Sequence, residues 1–325
     1  MLAWEDLTEA GRMRRLRSVA FDALARYDIT VSRLRLVGGF TNVIFRVDAD
    51  EGVFAARIDL HQDHSDADVD IETAWLHAIR ADTDLDVACV VPSVDGASYV
   101  HATAPGVPGS RRCVLFRWIP GRPLADSMSR SGYEALGILS ARLHQHGASW
   151  VPPHPPMRWD RIHYWPERVD PVVVDLPEHA AVFSGRRRSI YDRAVELVEP
   201  AFAALDPGEG RVLHGDLHPW NVHRSRNRII AFDFEDVMWG NPVQDIAITL
   251  FYQRNHPEYD ACRAAFENGY RSIAPWPETS AGEIERFMAA RTLMFINYTL
   301  NLGGDPSELH TAMFKRLERF ADTWA

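Results

Sequence analysis

Two short apolar runs, each ending in a dense group of polar residues, constrain this chain more than any other feature of its sequence. The first is 212–221, reading VLHGDLHPWN, and the second is 229–236, reading IIAFDFED. Hydrophobic pairs lead into each group, so both groups are expected at the ends of short buried strands. His214-x-Asp216, with Asn221 five residues after the Asp, fits the phosphoryl-transfer pattern H-x-D-x-x-x-x-N. In that pattern the Asp accepts the proton of the attacking hydroxyl and the Asn holds a metal. Asp233 lies seventeen residues after Asp216, where a second magnesium-binding carboxylate belongs. The residue types suit the task, because a triphosphate needs Mg2+, which takes oxygen ligands and few protein groups.

Two other readings compete. The bland one is a polar turn that happens to hold His, Asp and Asn; the complete set in a strand–loop–strand context argues against it. The sharper rival is metal-dependent hydrolysis, since His214, Asp216, His218 and His223 are closely spaced. Pro219 follows His218 directly, which makes a helix presenting His214 and His218 on one face doubtful.

Composition removes further classes. Of 35 basic residues only Lys315 is a lysine, so 34 are Arg. A Walker A loop and a Schiff-base enzyme both need a placed lysine, and Lys315 has no such context. Anions must therefore be handled by arginine. The net charge of -10 argues against a nucleic-acid binder, and it is evenly spread. Residues 1–119 carry 13 basic and 18 acidic groups and the remainder 22 and 27, so charge points to no partner. Cys89, Cys113 and Cys262 show no metal-ligand spacing and read as buried thiols in a reducing cytoplasm. No signal peptide and no run of 18 apolar residues is found, so a cytoplasmic protein off the membrane is expected.

Along the chain, residues 9–27 have helical spacing and 33–37, 43–48 and 53–58 read as strands. Residues 66–81 form a further helix, and 87–91 and 112–119 two more strands. After Gly121 the pattern is mostly helical, starting with 132–146. The expected fold class is α+β: a small antiparallel sheet with one main helix, then a helical part. The expected division is a nucleotide-binding part, 1–118, which includes the leading helix, and a helical part, 119–325, with the catalytic loop and substrate pocket.

Phosphoryl transfer requires three more pieces in the first part. The turn holding Gly38, Gly39, Thr41 and Asn42 is placed to cover phosphates, since glycine lets backbone N–H groups approach oxygens. Taken alone, Gly-Gly between strands is an ordinary hairpin. Arg57 is the basic residue on strand 53–58 that would reach the phosphates. Glu72 would hold that cation, with Asp68 and Asp70 as close competitors.

On the motifs HGDLHPWN (214–221), FDFED (232–236), GNPVQDIA (240–247), VLFRWIPGRPL (114–124) and LSARLHQH (139–146), the chain resembles the aminoglycoside phosphotransferase / choline kinase superfamily. The likeness spans roughly residues 30 to 250 and is strongest to the homoserine-kinase-like and stress-response branch. It implies a two-lobed protein-kinase-like fold, with ATP and Mg2+ as cofactors. By position it implies Asp216 and His214 as catalytic residues, Asp216 being the base, and Asn221 and Asp233 as metal ligands. Arg57 and Glu72 would replace the kinase Lys–Glu pair. The segment from Phe116 through Trp118 to Ile119 would be the adenine hinge, and Asp245 would brace the catalytic loop.

The chain departs from the kinase pattern in places. Trp220 stands where small residues are common, and Phe234-Glu235 replaces Phe-Gly, so no activation-loop flip is expected. Glu235 would be an added metal or substrate contact in one reading. Trp159, Tyr164, Trp165, Trp239 and Tyr252 either box a cationic substrate or pack the core. The expected function is transfer of the γ-phosphate of ATP to a hydroxyl of a small molecule. The alternatives are a stress-response-type Ser/Thr protein kinase and a non-catalytic ATP-binding module.

Overall fold

The computed structural model of the chain describes residues 2–39, 42–61, 64–163, 172–226, 228–302 and 307–324. The chain divides into two compact units, 1–121 with 224–232, and 122–223 with 233–325.

In the first unit, α1 (Glu9–Leu24) begins where the Thr8 hydroxyl accepts the Gly11 N–H at 3.2 Å. It buries Leu16, Val19, Ala20, Ala23 and Leu24, a single face at helical spacing. Strands β1 (Val31–Gly39), β2 (Asn42–Ala49) and β3 (Gly52–Asp59) follow, then α2 (Asp66–Asp82), β4 (Val100–Ala102) and β5 (Arg111–Arg117). They form an antiparallel sheet in the order β1-β2-β3-β5-β4. Val43, Phe45 and Val47 alternate into the core with Phe54, Ile58 and Leu115, facing α1. Burying each such side chain is worth about 1.5–3 kcal/mol. Ser65 and Asp68 close a reciprocal capping box at the start of α2.

One expected strand does not form. Within 87–91, Val87 bridges Ala231 in parallel and Val90 bridges Phe116 antiparallel. A strand needs one continuous partner, and this segment changes partner within three residues. The Ala88 N–H donates to the Ala231 carbonyl at 2.9 Å, and the Ala231 N–H to the Asp86 carbonyl at 3.0 Å. These bonds tie 224–232 into the first unit.

The chain continues through β6 (Arg122–Pro123), α3 (Arg130–Ser149), β7 (Met157–Arg158), α4 (Arg186–Ala203), β8 (Arg211–Leu213), β9 (Val222–Ser225) and β10 (Arg228–Ala231). Then come β11 (Met238–Gly240), α5 (Pro242–Phe251), α6 (Tyr259–Arg271), α7 (Glu283–Leu302) and α8 (Ser307–Trp324). In the second unit α5 is buried on every side, as its apolar sequence dictates, so its polar Gln244 and Asp245 must find partners inside. Helices α3 and α6 meet at backbone distance: a Cβ on Gly137 would strike the Phe266 carbonyl, and one on Gly269 the Glu134 carbonyl. Strand β8 pairs antiparallel with β11, which places the following loop beside the one that precedes β11. Among the described residues no helix is long and apolar enough to cross a membrane.

Candidate active site

The first unit holds the cation predicted to meet phosphate. Arg57 sits on β3 between Ile44 of β2 and Val114 of β5. Its guanidinium makes a two-pronged ion pair with Glu72 of α2: Nη1 donates to Oε1 at 2.7 Å and Nη2 to Oε2. Arg57 is 8% exposed and Glu72 1%, and the Phe116 ring lies 5.3 Å from the guanidinium carbon. Asp68 is taken by the Ser65 cap, and Asp70 lies against Tyr99. Glu72 is thus the partner among the three candidates. Removing either member of such a buried pair costs about 3–5 kcal/mol, because the other charge is left uncompensated.

Around this pair, β1 ends at Gly39 and β2 begins at Asn42. Gly38 has open space where a side chain would stand, whereas a Cβ on Gly39 would lie 2.6 Å from the Asn42 carbonyl. Phe40 and Thr41 lie outside the described residues. At the expected hinge, the Arg117 N–H donates to the Cys89 carbonyl at 2.8 Å and the Trp118 N–H to the Val53 carbonyl at 3.0 Å. Those two amides are committed to the fold, and the Trp118 ring is covered by the Arg46 guanidinium at 4.8 Å. Gly121, at φ 97°, ends the segment, where a Cβ would strike the Arg224 carbonyl.

The second unit builds the loop after β8. Gly215 has φ 82°, and a Cβ there would collide with the Asp236 carbonyl, so only glycine lets the two loops touch. The Gly215 N–H donates to Asp245 Oδ1 at 3.0 Å. Asp245 Oδ2 bonds His144 Nε2 at 2.9 Å, and His144 Nδ1 bonds the Tyr270 hydroxyl at 2.9 Å. With Asp245 ionised, Nε2 is the donor, which leaves Nδ1 to accept from Tyr270. All three side chains are buried. Helices α3, α5 and α6 therefore hold the loop backbone through one polar chain.

Asp216 sits in the loop with donors on both oxygens. Oδ1 accepts from the Tyr252 hydroxyl at 2.9 Å and from Arg291 Nη2 at 2.8 Å. Oδ2 faces His218 Nε2 at 3.2 Å and Asn221 Nδ2 at 3.3 Å. Burial pushes its carboxyl pKa up, but His218, the Arg291 charge and the Tyr252 hydrogen bond outweigh that and hold it below the usual range. Burial pushes the Tyr252 hydroxyl up to about 12, so it stays a donor. Half-exposed Trp220 lies edge-on to His218 and Tyr252, with centroids 5.6 and 6.4 Å away.

His214 does not sit where a catalytic group must. It is fully buried, its ring is 4.3 Å from that of Phe234, and its Nδ1 accepts the Asp216 N–H at 3.3 Å. It packs beneath the loop with no exposed surface in this structure. Trp159 likewise belongs to the core, against Phe202 and Phe287, with its carbonyl taken by Gln244. Trp239 packs beside Arg158, and Tyr164 and Trp165 lie outside the described residues. Of the three described aromatics, Tyr252 is the one placed on Asp216. Sequence reasoning gave Arg291 and His144 no role. The first comes from a distant helix, and the second was visible only as part of LSARLHQH.

The donors present suit a small hard cation. Asn221 gives its amide nitrogen to Asp216, through the backbone carbonyl at 3.0 Å and Oδ2 at 3.3 Å, so its amide oxygen is not engaged by these two bonds. Asp233, just beyond β10, has φ 66°, a left-handed conformation that a non-glycine residue adopts mainly under local constraint. An amide oxygen and a carboxylate are ligands that Mg2+ accepts. Among the described residues no group of three or more His, Cys, Asp or Glu is placed to hold a metal ion. Glu235 is half-buried beside this loop.

Comparison with known proteins bears on the fold and the family. Sequence similarity reaches 25% over 274 residues with the uncharacterized protein sll1119 of Synechocystis sp., covering 81% of this chain and 72% of that protein. Among solved structures, a microcompartment-associated aminopropanol kinase superposes with a TM-score of 0.75 at 22% identity, over 94% of this chain and 95% of the other. The amicoumacin kinase hAmiN, in complex with AMP-PNP, Ca2+ and Ami, gives 0.77 at 19%, over 97% and 96%. The spectinomycin phosphotransferase APH(9)-Ia, in complex with ADP and spectinomycin, gives 0.64 at 12%, over 94% and 97%. These likenesses show the two-lobed α+β fold. The APH family model, the phosphotransferase enzyme family, matches residues 33–281, most of the chain: the protein belongs to this family and is a phosphotransferase.

Proposed function

We propose that this phosphotransferase moves the γ-phosphoryl group of ATP, bound with Mg2+, to a hydroxyl of a small molecule. The observation that carries the reading is the Asp216 carboxylate, held ionised and oriented by four donors, with the Asn221 amide oxygen not engaged by that residue's bonds to Asp216. Asp216 orients the acceptor hydroxyl and takes its proton as the bond from that oxygen to the γ-phosphorus forms and the γ-phosphorus–oxygen bond to the departing ADP breaks. Arg57, fixed by Glu72, meets phosphate oxygens with its planar fork. Asn221 and Asp233 would hold Mg2+, which neutralises triphosphate charge. The protein's contribution is thus mainly positioning and charge neutralisation. The nucleotide role falls to 1–118 and the acceptor role to 119–325, where His218, Trp220 and Tyr252 form an aromatic wall near Asp216.

A small-molecule acceptor is supported by the structural relatives, which are an aminopropanol kinase, an amicoumacin kinase and a spectinomycin phosphotransferase. Sequence motifs favour the homoserine-kinase-like and stress-response branch within the family, and ATP use favours a cytoplasmic enzyme. The test is ADP release with ATP and Mg2+ across amino alcohols, sugars, aminoglycosides and proteins. A small hydroxyl compound should raise ADP release and gain a phosphate. Stimulation by protein acceptors alone would overturn the small-molecule reading.

A further inference from the structure

We propose that Arg291, together with Tyr252, is a positioning clamp for Asp216 that fixes Oδ1 and so presents Oδ2 to the acceptor hydroxyl. This rests on the reading of Asp216 as the catalytic base.

The two carboxylate oxygens are held differently. On Oδ1, Arg291 stands at 2.8 Å, within the range of strong charge-assisted bonds, and the Tyr252 hydroxyl at 2.9 Å, an ordinary hydrogen bond. Those near Oδ2 stand at 3.2 and 3.3 Å, at or beyond the long edge of the normal range. Oδ2 is therefore the edge at which an incoming hydroxyl can displace a donor. The clamp is also closed on itself. Arg291 Nη2 donates to the Tyr252 hydroxyl oxygen at 3.0 Å, and that hydroxyl donates on to Oδ1.

Arg291 has little freedom of its own. It is 5% exposed, and its guanidinium carbon lies 5.8 Å from the Phe251 ring centroid, 5.5 Å from Tyr252 and 5.3 Å from Phe295. The terminal torsion of an aspartate is broad and two-fold, so an unclamped carboxylate exchanges its oxygens freely. In a loose phosphoryl-transfer transition state the strength of the base matters less than its position. A cation against Oδ1 lowers basicity, and a fold that tolerates that loss favours geometry.

A simple counter-charge role makes a different prediction, so two conservative variants decide. Arg291→Lys keeps the charge but not the planar guanidinium packed among three rings that aims Nη2, and Tyr252→Phe removes one donor from Oδ1 without changing charge. Each is measured under saturating ATP and Mg2+ with the best acceptor of the panel, or with water as acceptor through slow ADP release. Folding is checked by thermal unfolding, and Asp216→Asn runs alongside. The clamp predicts that each variant loses roughly 10- to 100-fold in kcat. KM for ATP should stay within about 2-fold, since in this reading neither residue touches nucleotide. Wild-type kcat in both variants, with Asp216→Asn inactive, would overturn the clamp and leave the kinase reading standing. Should Arg291→Lys not fold, Tyr252→Phe decides alone. A wild-type enzyme that releases no ADP, or an active Asp216→Asn, would overturn the base assignment and the clamp with it.

Discussion

Replacing Arg57 with lysine keeps a positive charge on β3 and removes the fork that grips both oxygens of Glu72. One charge-assisted bond must go, worth about 1.5–3 kcal/mol. Arg57→Lys should therefore weaken ATP binding or turnover by roughly 10- to 100-fold, read from KM and kcat with ATP as the varied substrate. Unchanged constants would make the chain's preference for arginine mere compositional bias at this position. Single-residue legibility followed sequence distance. Asp216 and Asn221 stood out because a five-residue spacing carries their chemistry, and Glu72 was recoverable from its helix although Asp68 and Asp70 competed. Arg291 was not, and Tyr252 was singled out only as a pocket aromatic, since 75 and 36 residues separate them from the carboxylate they bind and no local pattern links them to it. His214 was assigned to catalysis because a motif does not show burial; its packing on Phe234 does.

At the level of elements, the loop after β8 is only as well placed as the helices beneath it. Helix α3 brings His144 to Asp245, and α3 sits at that depth because Gly137 and Gly269 let it approach α6 backbone to backbone. Gly137→Ala should thus destabilise the protein by about 1–3 kcal/mol through overpacking, measured by chemical denaturation. An unaltered midpoint would mean that the two helices separate without strain. Strong periodicity made α1, α2 and α3 readable to within a few residues. Segment 87–91 was misread because β-branched, apolar residues suit a buried bridge as well as a strand, and only the partner tells them apart. The three-residue β4 and β11 carry too few residues for any period to show.

For the molecule as a whole, sequence order and compactness diverge at one place. Residues 224–232 return to the first unit through Asp86, Val87 and Ala88, and Arg228 forms an ion pair with Asp86. No composition shift marks that return. The even charge distribution also left the acceptor unread, because the donors that orient Asp216 converge from separate elements. Ligand binding acts at this scale. ATP with Mg2+ at about 100 times its Kd should raise unfolding stability by roughly 2.7 kcal/mol, seen as a thermal shift. The absence of a shift would count against nucleotide recognition. Chelation of the metal should abolish turnover in the same preparation, and its restoration should need a divalent cation.

The central claim is that Asp216 takes the proton of an acceptor hydroxyl in phosphoryl transfer from ATP. The most direct measurement is phosphorylated product formed per turnover by wild type and Asp216→Asn, at saturating ATP and Mg2+, with ATP affinity measured alongside. We expect kcat to fall roughly 10²- to 10⁴-fold in the variant while ATP affinity is largely kept. Near-normal turnover by Asp216→Asn would contradict the claim.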